Sequence, residues 1–174
     1  LIYAAAIAMS LVECVPNFSE GRRPQIVEEI LDAIRSVAGV KLIDRSLDAS
    51  HNRAVVTFVG PPAASSEAAF RAIAKAKERI DLRVHTGEHP RMGATDVVPF
   101  VPLEGSTMKE CVALAHALGE RVGRELEIPV FYYEAAALRP ERRNLADVRK
   151  GQFEGLRDAI GRDPTREPDA GPKD

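Results

Sequence analysis

The part of this sequence richest in reactive side chains is a ten-residue segment, residues 85–94, which reads HTGEHPRMGA. It combines two histidines, a carboxylate and an arginine with two glycines and a proline. Histidine has an unperturbed pKa of about 6.5, so His85 or His89 could exchange a proton near neutral pH. Because glycine and proline disfavour both a long helix and a buried strand, we expect a loop, and its ionisable side chains make it a candidate functional site.

A metal site is the first alternative for the histidine pair. His85 and His89 are four residues apart, which would align them on one face of a helix as in a zinc-binding pair. Gly87 and Pro90 oppose a helix there, and a third ligand is not obvious, so no metal is expected. The pattern HTGExP also resembles a zinc-finger linker, but Cys14 is distant and alone, whereas a finger needs a close cysteine pair.

General acid–base chemistry is the second alternative, in which one histidine takes a proton from an attacking amine and returns one to a leaving amine. Glu88 or Asp96 could orient the ring or balance its charge. A turn whose histidines only bond backbone groups explains the composition about equally well. The neighbouring segment 50–53 could supply a binding arginine, Arg53, although a solvated loop is the simpler interpretation of those residues.

Composition narrows the class of protein. The chain has 174 residues, a formal net charge of −2, a hydrophobic fraction of 45% and no tryptophan. A packed core is therefore expected, and neither nucleic acid nor a membrane is expected as a partner. Cys14 and Cys111 are most simply buried free thiols, which favours the cytoplasm. Residues 1–8, before Met9, are interpreted as an upstream extension, too short to span a bilayer.

The hydrophobic periodicity predicts an α+β fold. Residues 9–160 are expected to form one subdomain, and residues 161–174 a linker or tail. Strands are predicted at residues 11–15, 40–44, 54–59, 95–103 and 129–133, with a loop at 45–53. Helices are predicted at residues 24–38, 63–80, 107–124 and, broken at Gly151 and Gly155, 141–158. Apolar residues at helical spacing, among them Ile26, Ile30 and Ile34, support the first helix, and Ser106 or Thr107 with Glu110 predicts a capping box at the start of the third. The order βαββαβ followed by αβα predicts a ferredoxin-like sandwich, with helices on one face of a mostly antiparallel sheet.

Four segments carry a resemblance to a known family. They are LVECVPNFSEG (11–21), NRAVVTFVGPP (52–62), GEHPRMGA (87–94) and RPERRNLADVRKGQFEGL (139–156). The chain resembles the N-terminal subdomain of the glutamate formimidoyltransferases, also found at the front of the formiminotransferase-cyclodeaminases. The resemblance implies transfer of a formimino group from N-formimino-L-glutamate to tetrahydrofolate, in histidine degradation. It also implies that His89 is the catalytic residue, as base on folate N5 and then as proton donor to the departing nitrogen.

The remaining site residues are assigned to binding. Arg91 is expected to hold a carboxylate of glutamate or folate, because a guanidinium pairs well with carboxylates. The further substrate-binding candidates are His85, Gly93 and Asn17. The family's chain continues past a Pro-Asp-x-Gly-Pro segment into a folate-contacting loop, which assigns Gly171 and Pro172 to the folate.

The resemblance also implies a partner. The family's folate tunnel lies between two similar subdomains, and this sequence stops two residues after Pro172. We therefore expect a C-terminal formiminotransferase subdomain in trans, or a homo-oligomer, to supply the other wall; a fragment with little activity is a further outcome. The alternative function is a non-catalytic, ferredoxin-like module that binds folate or another small ligand.

Overall fold

The computed structural model describes residues 10–174, so the extension expected at residues 1–8 lies outside the described residues. The strands are β1 Val12–Cys14, β2 Asn17–Phe18, β3 Lys41–Asp48, β4 Arg53–Gly60, β5 Thr95–Val97 and β6 Phe100–Pro102. The α-helices are α1 Pro24–Arg35, α2 Pro62–Arg79, α3 Met108–Glu125, α4 Leu145–Val148 and α5 Gln152–Ala159. Single 3₁₀ turns lie at Glu134–Ala136, Pro140–Arg142 and Pro164–Arg166.

Every strand pairing in this part of the chain is antiparallel. β1 and β2 pair with one edge of β4 in a single continuous register, so they are two segments of one strand interrupted at Pro16. β6 and β5 pair with β1 and β2 in turn and are interrupted at Pro99, because proline cannot donate to the ladder. β3 occupies the other edge of β4. The sheet therefore runs β3, β4, β1/β2, β6/β5.

The two faces of β4 differ in burial. Ala54, Val56 and Phe58 are fully buried, whereas the residues that alternate with them are only half-buried. Helices α1 and α2 pack against each other and against the sheet, and α1 contributes Ile30 and Ile34 to the core. The structure confirms a mixed α/β fold with an antiparallel sheet and packed helices. It leaves the side of β4 that carries Arg53 partly open.

Several predicted boundaries were wrong. β3 extends to Asp48, so the loop expected over residues 45–53 shrinks to 49–52; polar residues are tolerated there because β3 is an edge strand with exposed side chains. Residues 129–133 form only an isolated bridge, between Val130 and Ala170, rather than a strand. Gly155 lies inside α5 instead of breaking it, whereas the predicted capping box of Thr107 and Glu110 at the start of α3 is confirmed.

The C-terminal segment, expected as a linker or tail, packs back on the fold over part of its length. The N–H of Val130 donates to the carbonyl of Ala170 at 2.9 Å. Arg142 and Asp169 form a buried ion pair at 2.6 Å. Gly171 has φ +84°, and a Cβ there would lie 2.3 Å from the Ile128 carbonyl, so glycine is required. Within residues 10–174, no helix has the length and apolarity needed to cross a membrane.

Candidate functional site

Residues 85–94 form a loop without helix or strand, as the glycines and proline predict. The loop is bonded to the short turn between β3 and β4. The Asn52 side-chain amide donates to the Thr86 carbonyl at 2.9 Å, and the Glu88 N–H donates to the Ser50 carbonyl at 3.3 Å. His85 Nε2 lies 3.1 Å from the Asn52 carbonyl oxygen. The histidine loop therefore takes its shape from a turn more than thirty residues earlier in the chain.

Two residues make this close approach geometrically possible. A Cβ on Gly87 would lie only 2.4 Å from the His51 carbonyl oxygen, so no other residue fits against the turn. Asn52 has φ +50°, the left-handed region that asparagine tolerates better than most residues. Its side-chain oxygen also accepts the Gly21 N–H at 2.9 Å. Asn52 is not predicted as a site residue from the sequence, where its signal is an asparagine in the turn between two β-rich runs.

His85 and Arg91 are occupied by contacts within the protein. Arg91 Nε donates to His85 Nδ1 at 3.2 Å, so Nδ1 accepts and Nε2 is left to donate to the Asn52 carbonyl. The Arg91 guanidinium is buried and binds both carboxylate oxygens of Glu154, at 2.7 and 2.8 Å. This pairing lowers the pKa of Glu154 to about 2. Arg91 thus ties the loop to α5, and a substrate carboxylate would compete with Glu154 for it.

His89 differs from His85 because its Nε2 atom is buried and has no hydrogen-bond partner. The residue is 9% exposed, and Nε2 lies 3.7 Å from Asp96 Oδ2, beyond hydrogen-bonding distance. Burial lowers the pKa of His89, the positive charge of Arg53 lowers it further, and Asp96 partly opposes both. The imidazole is therefore neutral at pH 7 and is available to accept a proton.

Asp96 is fixed by its own contacts. Its side chain is 1% exposed and accepts hydrogen bonds from Arg149 Nε at 3.0 Å and from the Met92 N–H at 2.6 Å. Arg149 Nη2 reaches the same carboxylate oxygen, forming an ion pair. Asp96 therefore holds a fixed negative charge beside His89. Of the two orienting carboxylates considered from sequence, the structure places Asp96 next to the ring.

Arg53 is the second functional candidate that the sequence left open. It forms none of the ion pairs found within the described residues, unlike Arg91 and Arg149. Its Nε is buried without a hydrogen-bond partner, and so is the hydroxyl oxygen of Thr95 on β5. Buried polar atoms without partners are rare in native proteins, and each one calls for an explanation such as a ligand. Arg53 and His89 thus bring two unpartnered polar atoms to the site, and Thr95, the residue that follows the loop, carries a third.

The other predicted residues divide into two groups. Asn17 lies on β2, and its side-chain amide donates to the Val15 carbonyl at 3.1 Å. Gly93 lies in the loop, and its carbonyl accepts a hydrogen bond from the Ser19 hydroxyl at 2.7 Å. Gly93 therefore belongs to the histidine loop, and Asn17 adjoins it through the pairing of β2 with β5. Gly171 instead packs against the carboxyl-terminal part of α3, with Pro172 next in the chain, and its closest neighbours do not include the loop.

No group of three His, Cys, Asp or Glu side chains within residues 10–174 is arranged to hold a metal ion. Both cysteines are free and buried. Desolvation raises the pKa of the Cys14 thiol well above its usual value, so it stays protonated and unreactive. The chemistry that this arrangement supports is proton transfer by His89 beside fixed charges.

Comparison with known proteins assigns the family. Residues 11–174 match the formiminotransferase domain, N-terminal subdomain. The glutamate formimidoyltransferase of Streptococcus pyogenes serotype M1 is 54% identical over 146 residues, covering 84% of this chain and 49% of that protein. The enzyme of the same name from Thermoplasma acidophilum is 53% identical over 166 residues, covering 94% and 54%.

The formimidoyltransferase-cyclodeaminase of Rattus norvegicus is 48% identical over 146 residues, which cover 84% of this chain and 27% of that protein. The chain spans about half the length of the first two relatives and a smaller share of the third. The match covers both the histidine loop and the strands that hold it. The chain therefore belongs to the family of formiminotransferase N-terminal subdomains.

Proposed function

We propose that this chain carries the proton-transfer residue of a glutamate formimidoyltransferase, which moves a formimino group from N-formimino-L-glutamate to tetrahydrofolate in histidine degradation. One observation carries the proposal: the buried, unpartnered Nε2 of His89, whose pKa is lowered. The names of the relatives support the reaction class. Two free buried cysteines support a cytoplasmic location.

The reaction needs one proton to move between two nitrogens. Folate N5 attacks the amidine carbon of the donor, and a bond from N5 to that carbon forms. His89 Nε2 takes the N5 proton and then gives it to the glutamate nitrogen as the bond from carbon to that nitrogen breaks. The products are 5-formiminotetrahydrofolate and glutamate, with no net change in protons. A histidine that is neutral in the resting protein suits the first half of this transfer.

Asp96 has a supporting role in the same mechanism. When His89 accepts the proton its ring becomes positive, and a carboxylate 3.7 Å away stabilises that charge. The ion pair with Arg149 and the Met92 N–H keep Asp96 in place during the reaction. Because these groups are already oriented, little reorganisation is needed when the charge appears.

We also propose that the fold is the ferredoxin-like sandwich. With β1 joined to β2 and β6 joined to β5, the strand order is β3, β4, β1/β2, β6/β5. The split βαβ pattern requires this order. On this proposal the half-buried sheet face beside Arg53 and Asn17 would contribute one wall of the folate site. A C-terminal formiminotransferase subdomain, in trans or in a homo-oligomer, would supply the other wall, with Gly171 and Pro172 contacting folate.

The test is a transfer assay on the His89→Ala variant. The chain is assayed alone and mixed with the part of the Thermoplasma relative that it does not cover, with glutamate release as the readout. If His89 is the acid–base group, turnover falls by about 10²–10⁴-fold. The control is His51→Ala, because His51 is half-exposed and pairs with Asp48. An unchanged rate in His89→Ala would remove the proposed role.

The pH dependence gives an independent check. A general base works only when unprotonated, so kcat/KM should fall as the pH drops through the pKa of His89. Because burial lowers that pKa, the midpoint is expected below the usual 6.5. If no mixture turns over while tetrahydrofolate still binds to the chain, the non-catalytic binding module is supported instead.

A further inference from the structure

Arg53 begins β4 on the sheet face opposite the core. The antiparallel register pairs Asn17 with Val55 and Phe18 with Ala54, and Ser19 and Arg53 are the next residues along the two strands. On the far side of Ser19 is the histidine loop, because the Ser19 N–H donates to the Ala94 carbonyl at 2.9 Å. Arg53, Ser19 and the end of the loop therefore lie on three neighbouring segments of the chain.

The charge of Arg53 is not balanced within the described part of the chain. The neighbouring arginines of the site have carboxylate partners: Arg91 binds Glu154, and Arg149 binds Asp96. Arg53 has none, and its buried Nε lacks even a neutral acceptor. Its charge acts on His89, whose pKa it lowers. A guanidinium kept unpaired beside a proton-transfer residue is suited to an anionic group that arrives with the substrate.

We infer that Arg53 binds the α-carboxylate of the formimino donor, an assignment that rests on the proposed function. In N-formimino-L-glutamate the leaving nitrogen and the α-carboxylate share one carbon atom, whereas the γ-carboxylate is separated from that nitrogen by three methylene or methine carbons. His89 must reach the leaving nitrogen to return its proton. A cation close to His89 therefore meets the α-carboxylate, and the γ-carboxylate extends away from both.

The experiment pairs Arg53 variants with three donors. These are N-formimino-L-glutamate, N-formimino-L-2-aminobutanoate, which lacks the γ-carboxylate, and 4-formimidamidobutanoate, which lacks the α-carboxylate. Arg53→Met should lower kcat/KM about 10- to 100-fold for the two donors that keep the α-carboxylate, the size expected for a charged hydrogen-bonded pair. For 4-formimidamidobutanoate the change should stay below about threefold.

Two further variants complete the design. Arg53→Lys keeps the charge without the planar fork, so it should recover part of the loss for the α-carboxylate donors. Arg83→Met is the matched control, because Arg83 has a largely exposed side chain paired with Asp81 and lies just before the loop. It should leave kcat/KM unchanged for all three donors. Thermal unfolding followed by circular dichroism checks that each variant folds.

An equal loss for all three donors would overturn the assignment, because Arg53 would then act only through the charge state of His89. Binding distinguishes this failure from failure of the proposed function. If no donor is turned over by the unmodified protein, calorimetry compares L-glutamate with 4-aminobutanoate as ligands. Weaker glutamate binding in Arg53→Met, with 4-aminobutanoate unchanged, supports the carboxylate contact without turnover; equal affinities in both proteins refute it.

Discussion

Asp96→Asn tests the fixed charge beside His89 with almost no change in shape. Asp96 is 1% exposed in its side chain, and Arg149, which binds it, is 20% exposed. The substitution keeps one oxygen as an acceptor for the Met92 N–H or for Arg149. It removes the negative charge, so the guanidinium of Arg149 is left mostly buried without a counter-charge.

The structure sets the expected magnitudes. Breaking a fully buried ion pair by removing one partner costs about 3–5 kcal/mol. Because Arg149 keeps a fifth of its side chain in water, we expect a loss of about 2–3 kcal/mol in the free energy of unfolding. Asp96 is the group that raises the pKa of His89, so that pKa should fall further. Turnover should drop by about tenfold to 10³-fold, since a nearby opposite charge is worth 1–3 pKa units.

Three measurements check this prediction together: urea unfolding, the NMR titration of His89, and the transfer rate. Arg149→Met completes a double-mutant cycle, and the double variant should be more stable than Asp96→Asn alone because the unpaired cation has gone. The reasoning is refuted if the unfolding free energy of Asp96→Asn lies within about 0.5 kcal/mol of that of the unmodified protein and the pKa of His89 is unchanged.

Two further perturbations address the anchors of the loop. Gly87→Ala would place a Cβ 2.4 Å from the His51 carbonyl oxygen, so amide exchange in the loop should accelerate and turnover should fall about 10²-fold. Gly155→Ala is the control, because a Cβ there would meet nothing within 4 Å. Equal amide exchange in the two variants would contradict the close packing of Gly87 against the turn. Arg91 lowers the pKa of Glu154 to about 2, so this pair stabilises the fold above the unfolded pKa near 4.5 and loses its effect as the pH falls towards 2. Glu154→Gln should flatten the curve of unfolding free energy against pH in that range. The change should not exceed about 1 kcal/mol, because Glu154 is half-exposed. An unaltered curve would argue against a stabilising role for the pair.

Local patterns in the sequence predicted much of the fold. The spacing of Ile26, Ile30 and Ile34 predicted the buried face of α1, and Thr107 with Glu110 predicted the start of α3. The predicted strand boundaries were wrong where contacts between distant segments determine the structure. β3 continues through polar residues because only one edge of it is paired, and the residues around Val130 bridge to a segment forty residues later instead of joining the sheet.

The site was predicted less completely, because some of its contacts join residues that are distant in sequence. The composition of residues 85–94 predicted the loop but not which histidine would be free. His85 contacts Asn52 and Arg91, whereas His89 lies beside Asp96 and within the influence of Arg53. Asn52 and Arg53 come from another part of the chain. Likewise, nothing local distinguishes Arg53 from a solvated arginine, since its lack of a partner emerges only when β4 and the loop are assembled.

The contact between Arg91 and Glu154 has a consequence for the order in which the site is completed during synthesis. The turn at residues 49–52, which is hydrogen-bonded to the loop, is translated before the loop, and this anchor is therefore available at once. Glu154 follows Arg91 by 63 residues, which takes roughly 3 to 13 s at ribosomal speeds. Until then the carboxylate that pairs with Arg91 in the folded protein has not been synthesised. The histidine loop therefore lacks its anchor on α5 until that helix has been translated, and a ribosome pause before α5 would prolong this state.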